Sequence, residues 1–149
     1  MTTGFLNSRQ MREIAAAAKQ QWGSDALQSC AMLRKGDDIF IVSRSIEAVP
    51  LDALRVNALG LYIGEFRNSA LRLSMEGAQL IGPSATKNVV DVSLLQRDAW
   101  LRGSDIETVT AATGFVILRC GKDFLGCGAV KNGKILNFIP KARRITSAD

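Results

Sequence analysis

The stretch from Phe124 to Ile145, FLGCGAVKNGKILNFIPKARRI, constrains the fold more than any other part of the chain. Leu125-Gly126-Cys127-Gly128 sets two glycines around a small apolar residue, the pattern of a strand that another backbone approaches closely. Asn132-Gly133 stands between two apolar runs. A two-residue type I′ turn needs positive φ at both central positions, and Asn-Gly meets that need best. The stretch therefore predicts a β-hairpin closed at 132–133, with a second strand over Ile135–Ile139. Pro140 then restricts the chain just ahead of three cations, Lys141, Arg143 and Arg144.

Charge gives this β-element a direction. From Arg119 to Arg144 there are seven basic side chains and one acid, Asp123. Residues 1–83 carry nine basic and eight acidic groups, whereas residues 84–149 carry ten and six. The functional face is therefore expected in the C-terminal half, and a glycine-patterned β-element with that excess predicts polyanion binding, RNA first.

Composition removes several chemistries. The chain has no histidine, which excludes Ser-His-Asp and Cys-His catalysis and every histidine-containing zinc site. Cys30, Cys120 and Cys127 are too few for a four-cysteine site. Cys120 and Cys127 have the spacing to face each other on neighbouring strands, but the odd number and apolar neighbours predict reduced, buried thiols of a cytoplasmic protein. No Gly-x-Gly-x-x-Gly loop is present. No apolar run nears the ~18 residues of a membrane span, and Met1–Asn7 lacks the features of a signal peptide. The expectation is a non-catalytic protein with no cofactor, no metal and no membrane contact. Asp91, beside a valine pair, reads as a helix cap.

Along the chain, residues 8–22 predict a helix, capped by Asn7 or Ser8 and ended by Gly23, with Met11, Ile14, Ala15, Ala18 and Trp22 on one face. Leu27–Leu33 and Ile39–Val42 predict a hairpin around a five-residue loop, Arg34–Asp38. A short helix is expected within Ser45–Leu54, with Pro50 in its first turn. Strands follow over Asn57–Phe66 and Ala70–Ser74, then a helix over Met75–Ile81. Gly82-Pro83-Ser84 is the best boundary, dividing 1–83 from 84–149. Beyond it come a strand at Asn88–Val92, a helix at Ser93–Leu101 with Leu94, Leu95, Ala99 and Trp100 apolar, an acidic and threonine-rich loop, and a buried strand at Gly114–Cys120.

That order resembles the PUA domain, a small mixed β pseudo-barrel that binds structured RNA. The resemblance rests on the helix ending in Leu101-Arg102-Gly103-Ser104-Asp105, the strand start Gly114-Phe115-Val116, and Leu125–Gly128. Upstream, Leu59-Gly60 through Gly64-Glu65-Phe66, then Leu71-Arg72-Leu73, is similar to the pre-PUA domain of the eukaryotic 60S-subunit biogenesis factor and its archaeal relatives. The chain departs from many PUA domains in having Thr113-Gly114-Phe115 in place of Pro-Gly-Val and in lacking a Gly-Asp-x-Val strand. The fold class implied is α+β, with an α/β pre-PUA domain over 1–83 and a PUA domain over 84–149.

The resemblance implies RNA bound between the loop after the first PUA helix and the last strands. Here those positions are Arg102, Gly103 and Ser104, then Lys131, Lys134, Lys141, Arg143 and Arg144. Residue chemistry agrees: Gly103 lets backbone amides approach a phosphate, and the cations release counterions. Asp105 and Glu107 are expected to cap or neutralise, and Trp100 and Phe138 to be core. The resulting expectation is an RNA-binding adaptor of ribosome biogenesis or rRNA maturation, with rRNA or tRNA as ligand and a protein partner on its near-neutral N-terminal half. The alternatives are an RNA-specificity subunit of a modification enzyme and a translation factor.

Overall fold

The structure, a computed structural model, describes residues 3–28, 30–42 and 60–146. The helix expected within Ser45–Leu54 and the start of the strand expected from Asn57 lie outside those residues.

Two five-stranded sheets divide the chain. The first is antiparallel in sequence order: β1 (Thr3–Phe5), β2 (Ala31–Lys35), β3 (Asp38–Val42), β4 (Gly60–Arg67) and β5 (Ala70–Leu73). Helix α1 (Ser8–Trp22) contributes Ile14, Ala15, Ala17, Ala18 and Trp22 to the core beside it. Its start is fixed by a capping box in which Asn7 and Gln10 exchange side-chain-to-backbone hydrogen bonds, and its end by Gly23 in the left-handed region. Asn68 and Ser69, both at positive φ, turn β4 into β5.

Helix α2 (Met75–Ile81), capped by Ser74, packs on both β4 and the long strand of the second sheet. That sheet holds β6 (Val89–Asp91), β7 (Ile106–Glu107), β8 (Phe115–Cys120), β9 (Asp123–Lys131) and β10 (Lys134–Asn137) in the order β6-β8-β9-β10-β7. The β6–β8 pair is parallel and the rest antiparallel, with α3 (Leu94–Leu101) and β7 in the crossover. The fold is mixed α/β, with a curled half-barrel sheet at its C-terminal end.

The sheets are separate but the core is not. Ile117 and Cys127 of the second sheet belong to the apolar cluster of α1, β4 and β5, and Phe124 lies against Gly82. A second cluster, with Val116, Leu118, Leu125 and Ile135, surrounds the fully buried Trp100. Gly128 makes that possible. A Cβ there would stand 2.7 Å from the Trp100 indole and 2.6 Å from the Leu136 carbonyl oxygen. The close approach read from Leu-Gly-Cys-Gly is thus made by a neighbouring strand and by an indole.

Several expectations change. The β2–β3 hairpin turns on Gly36 and Asp37, not on five residues, because Lys35 pairs with Asp38 and Gly36 takes a positive φ; Ala26–Gln28 is a turn. Leu94 and Leu95 are 63% and 83% exposed, since α3 buries only Trp100 fully into the core. Cys127 lies opposite Ile117, and Cys120 opposite Asp123, so those two cysteines do not face each other. Asp91 is not a cap: Ser93 caps α3, while Asp91 sits in β6 and holds Arg119, its register partner on β8, by two hydrogen bonds of 2.6 and 3.0 Å. Strand β7 is new; its two residues gave no alternating pattern to read.

Candidate nucleic-acid interface

The loop after α3 is built by one side chain. Asn137, at the end of β10, donates through Nδ2 to the carbonyl oxygens of Trp100 (2.8 Å) and Ser104 (2.9 Å). Its Oδ1 accepts from the Ile139 amide at 2.8 Å, and its own amide donates to Asp105 Oδ1 at 2.8 Å. Asn137 therefore clasps the 100–105 loop to the chain leading into Pro140. Sequence reasoning passed it over, because an asparagine in an apolar strand shows its role only through the carbonyls it meets. Asp105 acts here as a structural acceptor.

Beyond Pro140 the chain makes a single 3₁₀ turn over Lys141–Arg143 and then lies along α3, where the Ile145 amide donates to the Leu101 carbonyl oxygen at 2.8 Å. Gly103, at φ +103°, takes the Arg144 side chain directly against its α-carbon; a Cβ would stand 2.5 Å from the arginine Cδ. Arg144 Nε donates to the Ile139 carbonyl oxygen at 3.0 Å, which leaves the outer guanidinium nitrogens without a protein partner among the described residues. Gly103 is thus both the end of a helix and the seat of a cation.

Of the residues singled out from sequence, Arg102, Gly103, Ser104 and Arg144 are brought together. Arg102 is exposed and has no ion pair among the described residues. Lys141 is exposed on the adjoining turn. Lys131 and Lys134 face each other across the β9–β10 hairpin, whose turn residues Asn132 and Gly133 have φ of 53° and 78° as a type I′ turn requires. They sit about 10 Å along the strand from Asn137, at ~3.4 Å per residue, and Lys134 Nζ is 3.9 Å from Glu107. Arg143 turns elsewhere. Still exposed, it makes a double hydrogen bond to Glu76 on α2, 2.8 and 2.6 Å, because the 3₁₀ turn points it back at the first half of the chain. That pairing holds the Glu76 carboxyl below its ordinary range.

Residues 87–145 match the family described as the methyltransferase RsmF PUA domain. The chain carries a PUA-like domain. The match takes in β6 to β10, the α3 loop and the basic turn, and PUA domains are a kind of RNA-binding domain. No curated protein matches the chain.

Other chemistry is sparse among the described residues. No three His, Cys, Asp or Glu side chains group as metal ligands, and no helix is long and apolar enough to cross a membrane. Burial pushes the Cys127 thiol up to about 12, which suppresses the reactive thiolate.

Proposed function

We propose that this chain is an RNA-binding unit that directs an RNA-modifying activity, of the methyltransferase kind, to its substrate, while catalysis is performed by a separate domain. The observation that carries this reading is the match of residues 87–145 to the PUA domain of a methyltransferase. The geometry supports it through side chains: Arg102, Ser104, Lys141 and Arg144 offer donors around a loop whose glycine seats the Arg144 side chain, while the amides of 102–104, expected from sequence to meet a phosphate, are spent on carbonyls of the preceding helix. Lys131 and Lys134 extend that face toward the hairpin tip. On this reading RNA falls to residues 84–149 and the catalytic partner to residues 1–83, whose nine basic and eight acidic groups nearly balance. An adaptor of ribosome assembly would use the same face. The family match favours modification.

The test is modification of structured rRNA fragments by the catalytic partner, with and without this chain. Arg102→Ala with Lys141→Ala should raise the RNA concentration needed for half-maximal rate about tenfold or more and leave the saturated rate unchanged, since phosphate contacts dominate affinity. An unchanged half-saturation with an intact fold would remove RNA from this face.

A further inference from the structure

A cleft of about 330 Å³ opens where the two halves meet, lined by Tyr62, Glu65, Arg72 and Met75 from the first and by Phe138 and Arg143 from the second. It lies apart from the Arg102–Ser104 loop, which contributes nothing to its lining. Two flat groups stand in its wall. The Tyr62 ring is 37% exposed. The Arg72 guanidinium lies over the Phe138 ring, 4.7 Å from its centroid, and is tied to Glu65 at 3.0 Å. The Tyr62 hydroxyl donates to Asp38 Oδ1 at 3.4 Å. Arg143, anchored by Glu76, completes the lining with a cation that cannot swing freely.

Gly126 forms part of the floor. Behind it, Trp100 Nε1 is buried with no hydrogen-bond partner among the described residues, 3.6 Å from where a Gly126 Cβ would stand. Fixed planar groups, a carboxylate acceptor, guanidinium donors and a volume near the lower end of small-ligand sites suit one kind of molecule: a planar heteroaromatic ring with hydrogen-bonding edges. Unstacked RNA bases are held in this way, on aromatic rings and on arginine planes, with their edges hydrogen-bonded.

We propose that the cleft takes a single unstacked nucleotide of the bound RNA, its base against Tyr62 and Arg72. This rests on the RNA-binding reading and adds to it: the Arg102 face supplies general affinity, and the cleft selects RNA with an unpaired residue.

The experiment measures binding of the full chain to two RNA hairpins, one with a single 2-aminopurine bulge and one fully paired. The wild type should prefer the bulged hairpin by about tenfold, the scale of one base stacked on an aromatic ring. Tyr62→Leu and Arg72→Gln, each checked for fold by circular dichroism, should erase the preference and bind the paired hairpin as the wild type does. Tyr62→Phe should keep it. Arg102→Ala should weaken both RNAs equally. A tenfold preference that survives Tyr62→Leu, or equal wild-type binding to both hairpins, overturns the cleft assignment and leaves the RNA face standing. Wild-type binding to neither hairpin overturns both readings. AMP or GMP bound alone as tightly as the bulged hairpin would reassign the cleft to a free nucleotide.

Discussion

The two halves of the molecule carry similar numbers of cations and use them differently. In the first half, Lys19, Arg34, Arg67 and Arg72 are each matched to an acid, Asp25, Asp37, Asp37 again and Glu65. In the second, Arg97 and Arg119 have acidic partners of their own, and Arg143 borrows Glu76 from the first half. Lys87, Arg102, Lys122, Lys131, Lys141 and Arg144 have no ion pair among the described residues, against Arg9, Arg12 and Lys35 in the first half. Net charge hints at this contrast, but pairing makes it, because a neutralised arginine offers a phosphate little. The difference teaches that a polyanion face is better sought in what the acids leave uncovered than in a count of lysines and arginines.

The largest expected effect concerns whether the halves are separate at all. Trp100→Ala should cost about 3–5 kcal/mol, the usual range for losing a fully buried large aromatic side chain. It also leaves Trp22, the other of the two tryptophans, as a sole fluorescent reporter in the first half. Because Ile117 and Cys127 sit in the first half's core, urea unfolding followed at Trp22 should shift with the rest of the chain. A Trp22 transition left at the wild-type midpoint would break the shared core into two independent ones.

Next in size is the salt dependence of RNA binding. Arg102→Ala with Lys141→Ala should lower the slope of log K against log salt by about 1.4 for single-stranded RNA, at ~0.7 per phosphate contact. Arg9→Ala with Arg12→Ala, exposed cations on α1, should leave the slope unchanged. Equal losses from the two pairs would abolish the contrast between the halves.

A smaller effect sharpens how the halves are joined. Glu76→Gln should cost about 0.5–1 kcal/mol at neutral pH, the upper range for a partly exposed ion pair. The Glu76 carboxyl is held low in the folded protein, first by its hydrogen bonds from Arg143. Its contribution is therefore present above the unfolded glutamate value, about 4.5, and is lost as pH falls through the lower folded value. The stability difference between wild type and Glu76→Gln should shrink below about pH 4.5 in a series of urea titrations and stay flat from pH 6 to 8. The smallest effect is expected at the hairpin tip. Lys134→Ala should change stability by less than about 0.5 kcal/mol, since its 3.9 Å contact with Glu107 joins two exposed groups.

Local signals in the sequence were enough for α1, α2, α3 and the β9–β10 turn, because caps and paired positive-φ positions write themselves into neighbouring residues. Strand β7 was not legible, being two residues long and defined only by its partner β10. Leu94 and Leu95 misled because a short helix with little contact area can leave apolar side chains outside. At the site, the resemblance reached the loop and the tail but not Asn137, which binds them together. Nor did it foresee Arg143 turning back to α2, since a contact spanning 67 positions leaves no trace in local pattern.

The clasp at Asn137 also orders events during synthesis. Loop 100–105 is translated long before its fastener, and Gly103 receives its arginine only when Arg144 has left the ribosome. Until then the loop has neither the Asn137 amide that donates to its carbonyls nor its neighbouring cation. A nascent chain that displays α3 and β8 therefore carries the 100–105 loop unfastened. The loop closes in one step with the 137–145 stretch, after β6, β8 and β9 have been made.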